Sequence, residues 1–376
     1  MNGVAIIGAG GFVGTSLIES LVLGAAGQPR AIVRNYRSMA GLCRFGSRAD
    51  VRKADAEDPT ALAKALAGSQ AAVNVTTGPP AGIVRSTKAI YEACMRAGVK
   101  RLVHLSSAVV YGDILQPFDD DAPPVSKHWM PYARAKAESE VWLRERLHQA
   151  GLEVVLLRPG IVWGVRSPHT VDLARAVANK TATLVDAGRG IFNGIYIANL
   201  VAAIRASVAH EGPAIGFYNV GDRETVTWHE LFSALATPLG TDVNRLQRTS
   251  GEHLPLSMGV VVDTVQNLPF VNELYHKAKY HVPDRLKAAI RAGLESGYEF
   301  ERPATRYASK PSISRETWHL QRTACKLPIE KFGRTFNFVP PVSFDEGVRK
   351  TVAWLESLGS MTSPRGPAAS GALHAG

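Results

Sequence analysis

The feature that most constrains this chain comes at its start. A short apolar run, Val4-Ala-Ile-Ile7, passes directly into Gly8-Ala-Gly-Gly11-Phe-Val-Gly14 and then into an amphipathic segment from Thr15 onward. That order is strand, glycine turn, helix. Glycines let a backbone approach a pyrophosphate closely, and a helix N-terminus offers unpaired N–H groups and a positive dipole end to it. The spacing Gly-x-x-Gly-x-x-Gly differs from the commoner Gly-x-Gly-x-x-Gly dinucleotide fingerprint, but its place after an opening strand carries the same implication. Gly8, Gly11, Phe12, Val13 and Gly14 are thus candidate cofactor-binding residues.

The same alternation continues. Strand-like runs follow at Arg30-Ala-Ile-Val-Arg34, Ala71-Ala-Val-Asn-Val-Thr76, Leu102 to Leu105, 153–158 and Phe217-Tyr-Asn-Val-Gly221, with helical segments between most of them. Strands and helices alternating at this pitch imply parallel β-α-β units. The expectation is an α/β, Rossmann-type doubly wound parallel sheet with a smaller, mainly C-terminal substrate-binding lobe. The expected boundaries are 1–165 for the dinucleotide-binding domain, to which 191–222 returns, then 166–190 and 223–358 for the lobe, with a disordered tail at 359–376 rich in Gly, Ser, Ala and Pro.

Chemistry concentrates at 101–136. Ser106 and Ser107 end a buried strand at the edge where open sheets place their ligand crevices. The helix that follows carries Tyr132 and Lys136, whose spacing puts both on one face. A nearby ammonium favours the phenolate and lowers a phenol's pKa from about 10. Alone, Tyr-x-x-x-Lys is a chance occurrence in many helices; beside two strand-end serines it makes a proton donor and acceptor for a secondary alcohol or ketone.

The strand ending at Val33 should lie beside the adenosine ribose. An acid there suits a 2′-hydroxyl and an arginine a 2′-phosphate. Arg34, with Arg37 close behind, favours NADP over NAD. Asp55 is placed at the adenine edge, with capping of the helix at Pro59 as its structural alternative. Around them Arg30, Arg44, Arg48, Arg52 and Lys53 face Asp50 as the single nearby acid.

The charge is +10 over 376 residues. Without interleaved basic and aromatic residues it points to phosphorylated small molecules rather than nucleic acid. No window approaches the ~20 apolar residues of a membrane span. Three cysteines, Cys43, Cys94 and Cys325, show neither metal nor redox spacing, so no metal is expected and a cytoplasmic location is. The tract 237–326 holds basic and aromatic residues (Tyr275, Lys277, Lys279, Tyr280, Arg285, Lys287, Arg291). A lid or packed helix is preferred there to a segment resting on a membrane.

Taken together, Gly8-x-x-Gly11-x-x-Gly14, Ser106-Ser-Ala-Val-Val-Tyr-Gly112, Tyr132-x-x-x-Lys136 and Leu157-Arg-Pro-Gly160 resemble the extended short-chain dehydrogenases/reductases, which include NAD-dependent epimerase/dehydratases and 3β-hydroxysteroid-dehydrogenase-like enzymes. The resemblance implies that Tyr132 exchanges a proton with the substrate oxygen as hydride moves to or from the nicotinamide. It implies that Lys136 holds the nicotinamide ribose and that Ser107 bonds the substrate oxygen. Homodimers are common in that group. The family's dehydratases carry Asp-Glu where this chain has Ala108 and Val109, which argues against dehydration. Gly160, Phe192 and Asn199 replace an Asn, an Arg and an Asp usual in nucleotide-sugar members. Ser106, Trp129, Trp163 and Arg189 are the candidate substrate residues, and Arg166 is a further cation that could stand in for the missing Arg. Two further readings stay open: a redox-neutral epimerase that retains NAD, and a non-catalytic NADP-binding sensor.

Overall fold

The computed structural model describes residues 3–24, 27–35, 39–147, 149, 151–254 and 313–358. Arg37, the tail 359–376 and the Lys/Arg-rich part of the 237–326 tract lie outside the described residues. The strands are β1 (Val4–Ile7), β2 (Arg30–Val33), β3 (Asp50–Lys53), β4 (Ala71–Asn74), β5 (Arg101–Leu105), β6 (Glu153–Pro159), β7 (Ile161–Trp163), β8 (Thr183–Val185), β9 (Gly194–Tyr196), β10 (Gly216–Val220) and β11 (Gln247–Thr249). Seven of them form one sheet in the order β3-β2-β1-β4-β5-β6-β10, with every pairing parallel. The strand order reverses between β1 and β4, which opens a crevice at their C-terminal ends.

These short runs make parallel strands because both of their faces are buried. Ile6, Val73, Val103 and Val155 enter one core with Leu17, Leu21, Leu200 and Ile204. Their neighbours Ala5, Ile7, Ala72, Leu102 and Leu156 enter a second core with Leu62, Ile90 and Leu143. That is the period of two expected of strands covered on both sides. The first face is covered by α1 (Phe12–Leu23) and α6 (Ile197–Ala209). The second is covered by α2 (Pro59–Leu66), α3 (Pro80–Ala97) and α4 (Pro131–Arg144).

Local signals set the helix ends. Asp58 caps α2 by accepting from Thr60 N and Ala61 N at 3.0 Å, ahead of Pro59 at the first helical position. Asp55 therefore does not cap this helix; it is exposed, and its Oδ1 accepts only from Glu57 N at 3.0 Å among the described bonds.

A second group of elements packs largely onto the first of these cores. It contains α5 (Pro168–Ala178), α7 (Trp228–Ala236), α8 (Arg315–Gln321), α9 (Glu330–Phe336) and α10 (Phe344–Ser357), with β8 paired to β11 and β7 to β9. Gln321 fastens α8 to β8, donating to Thr183 O at 2.9 Å and accepting from Val185 N at 2.8 Å. Among the described residues no helix is long and apolar enough to cross a membrane.

Candidate active site

The glycine turn lies at the reversal of strand order. Gly8 has φ 89°, a conformation that favours glycine, and a Cβ added there would meet Thr76 at 3.1 Å. At Gly14 a Cβ would fall 2.4 Å from Gly8 O and 2.7 Å from Ala9 Cα, so α1 can start this close to the turn only with glycine there. Gly11 is the N-cap of α1, and no side chain caps that end. The first N–H groups of the helix, at Phe12 and Val13, have no intrahelical acceptor, and the turn they belong to is partly exposed. A cradle closed to side chains beside uncapped helical N–H groups fits a dinucleotide pyrophosphate.

Arg34 is exposed just beyond β2. The arginines around it are more fully paired than the sequence implies. Asp50 takes both Arg30 and Arg52 at 3.0 Å. Glu19 of α1, distant in sequence, takes Arg44 at 3.1 Å and Arg166 at 2.6 Å. Arg166 is thus engaged on the outside of the cofactor helix rather than standing in for a missing substrate cation.

Lysine and tyrosine meet at the end of β5, the strand that Ser106 and Ser107 continue. Lys136 is 4% exposed, and its Nζ donates to Leu105 O at 2.8 Å, which anchors α4 beside Ser106 and Ser107. The same Nζ lies 5.9 Å from the centre of the Tyr132 ring. Ser107 begins a 3₁₀ turn, Ala108–Tyr111, and its Oγ accepts from Val109 N at 3.3 Å. Ser106 is the more buried of the two, and its Oγ finds no hydrogen-bond partner among the described residues. Burial draws the Lys136 ammonium down to about 8, against the pull of the Glu140 carboxylate. Burial pushes the Tyr132 phenol up to about 12, and Glu316 adds to it. The expected lowering of the Tyr132 pKa is therefore corrected: desolvation and Glu316 both raise it, and the phenol keeps its proton at neutral pH.

The four substrate candidates separate. Trp129 stays near Tyr132: its ring stacks on His319 of α8 at 5.2 Å, and the Arg315 guanidinium lies 4.4 Å from its centre. Trp163 does not line a pocket. It is 3% exposed, packs edge-on against Tyr196 and Phe192, and donates from Nε1 to Asp222 Oδ2 at 2.7 Å, so it is a core residue. Arg189 is exposed on the turn after β8. Phe192, where nucleotide-sugar members carry an Arg, is 3% exposed against Trp163 and Trp228. At Gly160 a Cβ would stand 2.3 Å from Asn193 O, so that position cannot hold the family's asparagine.

Sequence reasoning missed the α8 residues Arg315, Glu316 and His319. They reach Trp129 and Tyr132 only through tertiary packing. It also missed Asn74 and His104, polar residues inside apolar strands, which were visible as breaks in those runs.

Residues 8–169 match a family model described as NAD(P)H-binding. The chain is 26% identical over 369 residues to the 2-alkyl-3-oxoalkanoate reductase of Stenotrophomonas maltophilia, covering 93% of this chain and 98% of that one. It is 24% identical over 273 residues to an Escherichia coli O157:H7 N-acetyl-alpha-D-glucosaminyl-diphospho-ditrans,octacis-undecaprenol 4-epimerase, covering 69% and 77%. Among solved structures, a Bacillus cereus UDP-glucuronic acid 4-epimerase superposes with TM-score 0.65 at 16% identity, over 94% of this chain and 99% of that one. At that identity the likeness establishes the fold. The class is thereby set: an NAD(P)-dependent enzyme built on a parallel dinucleotide-binding sheet. Within that class the chain is similar, in its motif order and its fold, to the extended short-chain dehydrogenases/reductases, and its relatives are named as epimerases and reductases.

Proposed function

We propose that the protein is an NADP(H)-preferring oxidoreductase that interconverts a secondary alcohol and a ketone, with Ser107, Tyr132 and Lys136 as its catalytic residues and a sugar-like or other cyclic compound as substrate. The observation that carries this reading is the anchoring of Lys136 on Leu105 O at 2.8 Å, at the end of the strand that Ser106 and Ser107 continue, with its Nζ 5.9 Å from the centre of the Tyr132 ring. Bound NADP(H) supplies hydride exchange at the nicotinamide. The chain's own groups supply the rest. Tyr132, protonated at neutral pH, donates its phenolic proton to the ketone oxygen as that oxygen gains charge, and retrieves it in the reverse direction. Ser107 Oγ holds the same oxygen by a hydrogen bond. Lys136 has one N–H committed to Leu105 and keeps the others for the nicotinamide ribose. Trp129 and the α8 residues wall the substrate side, which assigns substrate selection to the lobe formed by 166–190 and 223–358. Arg34 meets the 2′-phosphate.

A second reading, a nucleotide-sugar epimerase with retained NAD, draws on the relatives named as epimerases. Gly160 and Phe192 weigh against it, since neither can contact a pyrophosphate through a polar side chain. The deciding experiment is to denature the purified protein, identify any released nucleotide by mass spectrometry, and titrate the emptied protein with NADPH and NADH. Reversible binding that prefers NADPH, with the preference passing to NADH in Arg34→Asp, supports the reductase. A stoichiometric NAD that does not exchange replaces it with the epimerase.

A further inference from the structure

Two polar side chains lie inside the hydrophobic sheet at the floor of the crevice, and the catalytic roles above use neither. Asn74, at the end of β4, is 2% exposed, and His104, in β5, is 1% exposed. Asn74 Nδ2 lies 3.0 Å from His104 Nδ1. Asn74 Oδ1 accepts from Thr76 N at 3.0 Å and from Thr76 Oγ1 at 2.7 Å. Thr76 in turn packs on Gly8, close enough that a Cβ there would meet its Cγ2 and N at 3.1 Å. A single polar chain therefore runs from β5 through β4 to the first glycine of the turn, across the reversal in strand order.

We propose that His104 is a positioning residue for the dinucleotide cofactor, acting through Asn74 and Thr76 to hold the glycine turn in its binding shape. The donor and acceptor pattern leaves one arrangement. Asn74 Oδ1 is taken by two donors from Thr76, so its amide N–H must point at His104, and His104 must offer a lone pair on Nδ1. The imidazole is then neutral with its proton on Nε2. Burial, with the nearby Lys136 ammonium, draws the His104 pKa down to about 3 and keeps the ring neutral, while Nε2 finds no hydrogen-bond partner among the described residues, so the bond to Asn74 alone selects the tautomer. A protonated Nδ1 would confront the Asn74 amide donor to donor, release that side chain, and free Thr76 from Gly8. The effect would arise at cofactor binding, since the polar chain ends at the turn.

The alternative is that His104 only fills space in the core. The two ideas rank a pair of variants in opposite order. His104→Phe keeps a flat ring but gives Asn74 no acceptor; His104→Gln loses the ring but returns an oxygen acceptor. Under the positioning role, His104→Phe weakens NADPH binding about tenfold by stranding a buried donor, while His104→Gln stays within about threefold of the natural chain. Tight binding by His104→Phe together with weak binding by His104→Gln would overturn the proposal. The natural protein supplies a second test if either variant fails to fold. Long-range ¹⁵N–¹H NMR should find the His104 proton on Nε2; a proton on Nδ1 would also overturn it. Neither measurement depends on turnover, so both stand apart from the assignment of Tyr132 as proton donor.

Discussion

Tyr132 and Lys136 share one helical face, and burial moves their protons in opposite directions, to about 12 for the phenol and about 8 for the ammonium. Tyr132→Phe removes the transferable proton and leaves the ring. Turnover should fall about 10²- to 10⁴-fold, with the NADPH dissociation constant unchanged to within about twofold. Steady-state kinetics beside a binding titration check this, and retained turnover would end the assignment. Lys136 yields a stability prediction. Its folded value of about 8 lies below the ordinary 10.5, so between those values the unfolded chain binds more protons, and stability rises with pH across that window. At pH 7 the buried charge is a cost. Lys136→Met should therefore raise the Tm of the cofactor-free protein at pH 7 by roughly 2–6 °C and weaken NADPH binding, with the gain shrinking in calorimetry at pH 10. The pairing of these residues was legible from sequence because a four-residue spacing on a helix is local information. The direction of the tyrosine shift was not, because the depth of burial and the approach of Glu316 are set by α8, which arrives from far along the chain.

At the scale of elements, the strand, glycine turn and helix of β1 and α1 were read correctly because each signal lies within a few residues of the next. The two inner glycines do different work, and substitution separates them. A Cβ at Gly11 meets only Gly8 O, at 3.4 Å, an ordinary contact, whereas one at Gly14 collides with Gly8 O at 2.4 Å. Gly11→Ala should fold with an unchanged Tm and lose cofactor affinity, because the added methyl would stand on the exposed side of the turn where a bound pyrophosphate would approach. Gly14→Ala should lose affinity and also about 1–3 kcal/mol of stability through overpacking. Thermal denaturation beside NADPH titration distinguishes them; equal losses of stability would mean that the turn relaxes around either methyl. Trp163 shows where sequence reading stops. An aromatic residue after a Pro-Gly turn suggests a pocket wall, but the partner that decides its place, Asp222, is brought to its Nε1 only by the pairing of β7 with β9 and the return of the chain through β10.

For the whole molecule, Asp222 draws together segments that lie far apart in the chain just beyond β10. Its buried carboxylate accepts from Trp163 Nε1 at 2.7 Å, from Tyr196 N at 2.9 and 3.0 Å, and from Asn199 Nδ2 at 2.7 Å. Asn199, with no exposure, also donates to Val342 O and accepts from Val342 N, both at 2.8 Å, which ties in the segment leading to α10. Asn199 is therefore more than a departure from the acid usual in the family, since only an amide can donate to Asp222 while accepting from Val342. Burial already raises the Asp222 pKa. Asn199→Asp would set a second carboxylate against it, and both would be held well above their unfolded values. The sign follows: carboxyls whose folded pKa is raised stabilise the fold at low pH and lose that contribution as the pH rises through the raised values. The stability deficit of Asn199→Asp, followed by denaturation across pH, should be small near pH 5 and grow toward pH 8, where it reaches about 3–5 kcal/mol, the cost of leaving a buried charge uncompensated. A deficit that does not change with pH would mean that the knot yields through lost hydrogen bonds alone, with the two carboxylates moving apart instead of sharing a proton.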